Sequence, residues 1–162
     1  MSSAAGTAVL DAAVWATWSV VVGAGVHLLP TRCFTHETRL TRLQAFERDG
    51  RLYERLRIRR WKDRLPDAGA LFSRGGSKRS LPGRSTDALE RFVSETRRAE
   101  YVHVAVAAIA PLFALWNPWW LTISMLVYAV AANVPCVAIQ RYNRGRLQRL
   151  LSTRRARGEV VT

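Results

Sequence analysis

The chain has 162 residues, which is room for one domain, and 49% of them are hydrophobic. Lys and Arg outnumber Asp and Glu by 25 to 12, which gives a formal net charge of +13. All the basic residues lie in two blocks, 32–98 and 141–157, separated by long apolar runs. A soluble nucleic-acid-binding domain carries its cations over a continuous surface, so this segregation argues against nucleic acid as a partner and indicates a small membrane protein.

The first apolar run, residues 8–29, is long enough to cross a hydrocarbon core of roughly 30 Å as a helix, and Pro30 ends it. A cleaved signal peptide is the alternative interpretation. The run follows a segment without Lys or Arg and is longer than a signal peptide's apolar region, so we expect it to remain in the mature chain. Asp11, near the outer end, is expected to be a hydrated residue of the first helical turns.

The second apolar run, residues 99–140, is too long for one span and is interrupted by Asn117-Pro118. Three tryptophans flank this turn signal, as in an interfacial aromatic belt: Trp116, Trp119 and Trp120. The pattern predicts a transmembrane hairpin with helices at 100–116 and 118–140.

Both basic blocks then lie on one side of the membrane, and the positive-inside rule places them in the cytoplasm with the N-terminus outside. We therefore expect an all-α integral protein of the cell membrane. It is a single membrane domain, residues 1–162, of three transmembrane helices plus amphipathic interfacial helices in a basic cytoplasmic segment. The cytoplasmic parts are residues 31–98 and a basic tail, 141–162.

The central basic segment mixes apolar and cationic residues at partly helical spacing between residues 38 and 65, which is typical of short helices lying on an anionic membrane surface. Within it, Trp61, Lys62 and Arg64 either form a site for a phosphate-bearing ligand or lipid head group, or belong to a solvated face. Cys33 and Cys136 lack metal-ligand spacing, so neither a metal site nor a disulfide framework is expected.

Polar residues gather where the spans meet the cytoplasm. Glu100 and His103 are three residues apart on one helical face, close enough to touch, and such groups at the edge of hydrocarbon are costly unless they pair or function. We favour a functional site over a purely structural pair. His27 is a further candidate neighbour of His103.

The third span carries a second set of polar residues. Asn133, Gln140 and Arg144 are spaced by seven and four, which places them on one face that descends to the cytoplasmic surface. Pro135 frees a backbone carbonyl and is a candidate bend. The donors at the membrane exit form a candidate ligand site, with positive-inside anchoring as the alternative for the arginines: Gln140, Arg141, Tyr142, Asn143 and Arg144.

Three islands of sequence resemble a known family: RRWKDRLPDAG at 59–69, ETRRAEYVH at 95–103 and NVPCVAIQRYNRGRL at 133–147. They are similar to the membrane acyltransferases that esterify glycosyl-4,4'-diaponeurosporenoate in the last step of staphyloxanthin-type carotenoid synthesis. The resemblance implies transfer of a fatty acyl group from an activated donor, with acyl-CoA as co-substrate and no other cofactor, to a sugar hydroxyl of a glycosylated carotenoid or related glycolipid. The resemblance leaves open which glycoside is the acceptor, how long the acyl chain is and whether the protein forms an oligomer. Membrane lipids are expected as further partners.

Chemistry then suggests roles for the polar residues. His103, oriented by Glu100, would act as base toward the attacking hydroxyl. The developing oxyanion needs fixed donors, for which Arg98, Asn133, Gln140 and Arg144 are candidates. Phosphates of a CoA donor would suit four cations: Arg141, Arg144, Lys62 and Arg64.

Two other functions compete with this hypothesis. A non-catalytic membrane subunit would bind a glycolipid or a partner enzyme and give no product alone. A small transporter is disfavoured, because polar groups confined to one interface provide no path across the membrane.

Overall fold

The computed structural model describes residues 4–62 and 85–158. Within these ranges the regular structure is entirely helical, and three helical segments are long and apolar enough to cross a membrane: Ala5–Leu28, Thr86–Leu115 and Trp119–Ala156. This confirms the predicted all-α membrane class.

Five α-helices and three short 3-10 helices follow one another within the residues that the structure describes. Helix α1 spans Ala4–Leu28; a first 3-10 helix, Thr31–Phe34, follows Pro30. Residues 35–62, which we call the interfacial segment, contain a second 3-10 helix, Ala45–Gly50, then α2, Arg51–Arg55, and α3, Ile58–Trp61. Helix α4 spans Thr86–Ala107, the third 3-10 helix Ala110–Leu115, and α5 Trp119–Ala156.

Helix α5 begins directly after Pro118 and continues through Pro135 to Ala156. The predicted inner membrane boundary at residue 140 therefore falls inside one continuous helix. A proline removes one backbone hydrogen bond, and the long flanking stretches keep the rest of the helix intact. The basic residues of the tail consequently project from the same helix that carries the apolar span.

Helices α4 and α5 pack along much of their length. Trp15, Ala110, Phe113 and Ala129 form an apolar cluster near the Asn117-Pro118 turn. A second cluster lies near the basic ends of the same helices: Leu89, Val93, Leu147 and Leu151. Large apolar side chains remain exposed around the spans, as expected of surfaces that face lipid: Val20, Val21, Ile123, Val127 and Val130.

Asp11 differs from the prediction of a hydrated position, since it is only 5% exposed. Its Oδ1 accepts hydrogen bonds from Trp116 Nε1 at 2.7 Å and from Asn117 Nδ2 at 2.9 Å. Both donors belong to the turn between α4 and α5, which the sequence pattern could locate but could not place beside α1. Asp11 therefore joins α1 to this turn.

The interfacial segment packs closely against α5 where Gly50 meets Gly145. Gly50 has φ +88°, and a Cβ added there would lie 3.2 Å from the carbonyl oxygen of Tyr142 and 3.5 Å from the Cα of Gly145. Glycine is needed at position 50 for both reasons, the left-handed backbone and the close approach. The contact brings the second 3-10 helix against the C-terminal half of α5.

Candidate functional site

The centre of the site is the carboxylate of Glu100 on α4, which is 1% exposed. Its Oε1 accepts from Arg141 Nη1 at 2.5 Å, and its Oε2 accepts from Arg144 Nη2 at 2.6 Å. Both arginines lie on α5, and Arg144 is completely buried. Glu100 thus joins α4 to α5 through two charge-assisted hydrogen bonds that are largely shielded from solvent.

Arg141 extends this network to the interfacial segment. Its Nε and Nη2 donate to the two carboxylate oxygens of Glu47, at 2.7 and 2.6 Å. Two further N–H groups donate to the carbonyl oxygens of Leu40 and Arg42, at 3.0 and 2.8 Å. With the bond to Glu100, all five donors of the guanidinium are used within the chain. A ligand could bind Arg141 only by displacing one of these partners.

Glu47 is held as a carboxylate by its surroundings. Burial alone would raise the pKa of Glu47, but hydrogen bonds from Arg141, from Tyr53 and from the Gln44 backbone outweigh burial and lower it. Tyr53 Oη donates to Glu47 Oε1 at 2.5 Å. Burial and the adjacent Glu47 carboxylate raise the pKa of Tyr53, which keeps its hydroxyl protonated as a donor. We call the group Glu47, Tyr53, Arg141, Glu100 and Arg144 the buried charge network.

The structure differs from the predicted pairing of Glu100 with His103. Both Glu100 oxygens bind arginines, whereas His103 Nδ1 lies 3.1 Å from Asn133 Oδ1 on α5. The physical reason is that two guanidinium charges attract a buried carboxylate more strongly than a neighbouring imidazole does. His103 and Asn133, both singled out from the sequence, form a pair of their own.

The contacts of Asn133 determine the proton position on His103. Asn133 Nδ2 donates to the carbonyl oxygen of Ala129 at 3.0 Å, so Oδ1 is the atom that faces the imidazole. An amide oxygen only accepts, so Nδ1 of His103 carries a hydrogen, and in the neutral imidazole Nε2 carries the lone pair. This arrangement suits Nε2 for proton abstraction, with a neutral amide as the orienting group.

Arg98, predicted to be near the chemistry, lies elsewhere. Its Nη2 donates to the Leu29 carbonyl oxygen at 2.9 Å and to Thr31 Oγ1 at 3.1 Å, and its Nη1 pairs with Glu95. The guanidinium also lies over the Phe34 ring, 5.0 Å from its centroid. Through these contacts Arg98 holds the end of α1 and the first 3-10 helix against α4.

Tyr142 and Trp61 meet where the interfacial segment contacts α5. Tyr142 is fully buried with Tyr53 and Ile58, and Trp61 packs against this cluster. Tyr142 Oη accepts from Arg59 Nε at 2.9 Å. These two predicted binding residues are thus part of an apolar contact between α3 and α5.

The other predicted binding residues have less definite surroundings. Gln140 lies two turns after Asn133, hence on the same face of α5, and is partly buried, as is Asn143. Lys62 is partly buried at the end of a described range, and Arg64 lies outside the described residues. No group of three or more His, Cys, Asp or Glu side chains suited to a metal occurs within residues 4–62 and 85–158.

Sequence reasoning missed Glu47, Tyr53 and Arg97 as members of the polar interior. Glu47 lies among charged residues of the basic segment, where an acidic side chain is normally solvated. Its burial follows from how the second 3-10 helix docks on α5, a contact between residues 94 positions apart. Periodicity within one segment contains no signal for such a contact.

Together the helices and the site define a small helical membrane protein whose polar interior lies between two spans at their basic ends. The chain belongs to the glycosyl-4,4'-diaponeurosporenoate acyltransferase family, whose model matches residues 31–153. Proteins with that name from Staphylococcus aureus strains USA300 and NCTC 8325 / PS 47 are each 30% identical over 132 residues, covering 81% of this chain and 79% of theirs. The strain N315 protein is 31% identical over 134 residues, with the same coverage. No solved structure matches.

Proposed function

We propose that this protein transfers a fatty acyl group from an activated donor, an acyl-CoA thioester, to a sugar hydroxyl of a glycosylated carotenoid or related glycolipid in the cell membrane. The family name supports acyl transfer and a carotenoid glycoside. The segregation of basic residues supports a reaction at the cytoplasmic face, with the N-terminus outside. Acyl and polyene chains would lie along the exposed apolar faces of the spans.

The observation that carries the proposal is the His103–Asn133 pair, 3.1 Å apart between Nδ1 and Oδ1. Asn133 orients the imidazole so that Nε2 is the nitrogen that would accept a proton from a hydroxyl. As the sugar oxygen attacks the thioester carbonyl carbon, Nε2 accepts the hydroxyl proton. The carbon–sulfur bond then breaks, and the imidazolium returns the proton to the departing thiolate. Ester and free thiol are the products, and the enzyme is unchanged.

The buried charge network supports this reaction indirectly. Glu100 is one helical turn from His103 and fixes the α4–α5 register through Arg141 and Arg144. Since His103 and Asn133 belong to these same two helices, their separation depends on that register. We therefore assign Glu100, Arg141 and Arg144 a positioning role, in place of direct contact with the donor.

The test is acyl transfer by the purified chain in lipid nanodiscs, with acyl-CoA and a carotenoid glycoside, followed by mass spectrometry of the ester. We expect His103→Ala to lower kcat by roughly 100-fold or more, the usual size of a general-base contribution. Asn133→Ala should lower kcat with little change in KM, because it misorients the base without removing it.

His36→Ala is the matched control, because His36 is an exposed histidine of the first interfacial residues. It should transfer acyl groups at the wild-type rate. Full activity in His103→Ala, with the protein inserted and folded, would eliminate His103 as the base.

A non-catalytic membrane subunit is the second candidate. It is favoured by the internal use of all five Arg141 donors, since a predicted ligand-binding residue then has a structural role. Product formation by the purified chain alone decides between the two. A strict requirement for a second protein, with glycolipid still bound, would select the subunit.

A further inference from the structure

A polar cleft of about 670 Å³ lies between the first 3-10 helix, the N-terminal half of α4 and the C-terminal end of α5. Among its lining side chains are six hydrogen-bonding groups from all three elements: Thr31, Thr35, Ser94, Arg97, Gln148 and Ser152. Arg97 is the last residue of α4 that lines the cleft, and His103 lies six residues later, roughly 120° around the same helix. The cleft is therefore distinct from the His103–Asn133 pair.

One residue that lines this cleft, Arg97, has an unsatisfied donor. Arg97 lines it with a side chain only 7% exposed; Nη1 and Nη2 are bonded to Thr35 and Glu37, but the buried Nε has no hydrogen-bond partner among the described residues. Arg144, one helical turn before Gln148, likewise has unpartnered Nε and Nη1 atoms in the described part of the chain. Arg144 also donates to Glu100, one helical turn after Arg97, which brings the two guanidinium charges near each other.

Buried N–H groups without acceptors are costly, and neighbouring like charges add to the cost. An anion placed beside Arg97 would relieve both. We propose that this cleft binds a phosphate group, with Arg97 as direct donor and Arg144 supplying positive charge from behind the cleft wall. The hydroxyl and amide donors of the cleft now bond to acceptors within the chain, and a tetrahedral anion would bind by exchanging those partners: Thr35 with Arg32 O, Ser94 with Glu90 O, Gln148 with Glu37 and Ser152 with Arg149 O. The volume leaves room for an attached organic group.

An anion at Arg97 would displace Glu37, which also accepts from Gln148 at 2.7 Å, whereas the acidic residues that line the cleft lie further along α4. Glu90 pairs with Arg155 at 2.8 Å, and Asp87 lies ten residues before Arg97, about 15 Å along the helix. At that distance an exposed charge is largely screened in physiological salt. Glu37 is paired with Arg97 itself, at 3.3 Å. Arg91, exposed at the cleft, adds a cation for a second phosphate.

Two sources present this chemistry at the cytoplasmic surface, the nucleotide of a CoA thioester and the head group of an anionic lipid. Binding is measured on the full chain in phosphatidylcholine nanodiscs, by calorimetry with coenzyme A and with inorganic phosphate as probes. Native mass spectrometry of protein extracted from discs containing phosphatidylglycerol reports lipid retention. Binding of coenzyme A would show that the phosphate group in the cleft comes from the acyl donor. Retention of phosphatidylglycerol would show that it comes from a lipid head group.

The decisive variant is Ser152→Asp, which adds a carboxylate to the cleft without altering the arginines. Thr153→Asp is its matched control, because it adds the same charge on the same exposed turn but does not line the cleft. We expect Ser152→Asp to weaken binding of the responding probe about tenfold or more, and Thr153→Asp less than about threefold. Arg97→Lys keeps the charge, loses the planar donor geometry and should also weaken binding.

Absence of binding by every probe would overturn the inference, as would equal weakening by both aspartate variants, which would indicate general electrostatic attraction. His103→Ala should retain wild-type binding. The inference thus fails or stands separately from the proposed acyl transfer, since binding is read without turnover.

Discussion

Four buried charges at the basic ends of α4 and α5 alternate in sign, in the order Glu47, Arg141, Glu100 and Arg144. Each carboxylate has at least one guanidinium partner, and Arg141 bridges the two carboxylates. Removing one member of such a chain leaves a partner charged, buried and uncompensated, which costs more than the intact pair contributes. The four residues therefore act as one unit that joins the interfacial segment to two spans.

Glu47→Gln tests this unit at its outer member. We expect it to lower the free energy of unfolding by roughly 3–5 kcal/mol at neutral pH, because Arg141 loses its bidentate partner. The pKa of Glu47 in the folded protein is lower than its ordinary value of 4.5. The Glu47 carboxylate therefore stabilises the fold fully at pH values above 4.5, and this stabilisation is lost as the pH falls from 4.5 toward the folded-state pKa. The difference between wild type and variant should shrink over that window.

Thermal and denaturant unfolding in detergent, repeated across pH, measures this difference. Glu54→Gln is the matched control: Glu54 pairs with Arg59 and Arg149 at 3.6 and 3.4 Å, but its side chain is 37% exposed. An exposed pair contributes about 1 kcal/mol or less. Equal losses in the two variants would show that Glu47 has no special role.

The sequence predicted which face of a helix each polar side chain of the site lies on, but not which partner it contacts. Helical spacing was enough to place Glu100 and His103 on one face of a helix, and Asn133 and Arg144 on one face of another. It could not assign partners, because the choice between His103 and an arginine for Glu100 depends on the α4–α5 register. That register is set by contacts between residues 30 to 44 positions apart.

At the scale of elements, α1 is attached to the α4–α5 pair by a few specific contacts. Trp15 stacks on Phe113 with ring centroids 5.3 Å apart, and Trp18 Nε1 donates to the Ala105 carbonyl oxygen at 3.0 Å. Asp11 adds two hydrogen bonds from the turn between α4 and α5. In lipid, apolar surface gives no hydrophobic drive for helix association, so polar contacts of this kind matter for docking α1.

Asp11→Ala should therefore loosen α1 from the turn. We expect a loss of about 2–3 kcal/mol in unfolding free energy, since two hydrogen bonds to a carboxylate are removed and the buried Asn117 amide is left without this acceptor. The measurement is unfolding in detergent, with Trp fluorescence reporting on Trp116. Thr17→Ala, an exposed position on α1, should change stability by less than about 0.5 kcal/mol. A comparable loss at both positions would contradict the assignment.

The three long helices could be predicted from the sequence, but the contacts that join them to one another could not. Run lengths and the Asn117-Pro118 signal predicted the three long helices, because a helix's backbone hydrogen bonds are local and the bilayer fixes its length. The burial of Asp11 and the close approach of Gly50 to Gly145 depend on elements distant in sequence. Such contacts become visible only when the helices are packed.

For the molecule as a whole, the distribution of charge and the location of the site agree. The buried charge network and the polar cleft lie in the half of the helical assembly that carries both basic blocks, and His103 follows Glu100 of that network by one helical turn. The opposite end carries Trp116, Trp119 and Trp120 around the turn and no Lys or Arg. An activated acyl donor made in the cytoplasm would reach the basic end directly, so the proposed reaction requires that end to face inward.

Native Cys33 makes this orientation measurable, because it is exposed in the first 3-10 helix at the basic end. In a Cys136→Ser background, a membrane-impermeant maleimide added to intact cells should leave Cys33 unlabelled and should label it after permeabilisation. Leu115 at the opposite end is 78% exposed, so Leu115→Cys in a chain without native cysteines should be labelled from outside. The reverse pattern would place the basic end outside, and a cytoplasmic acyl-CoA could then not be the donor.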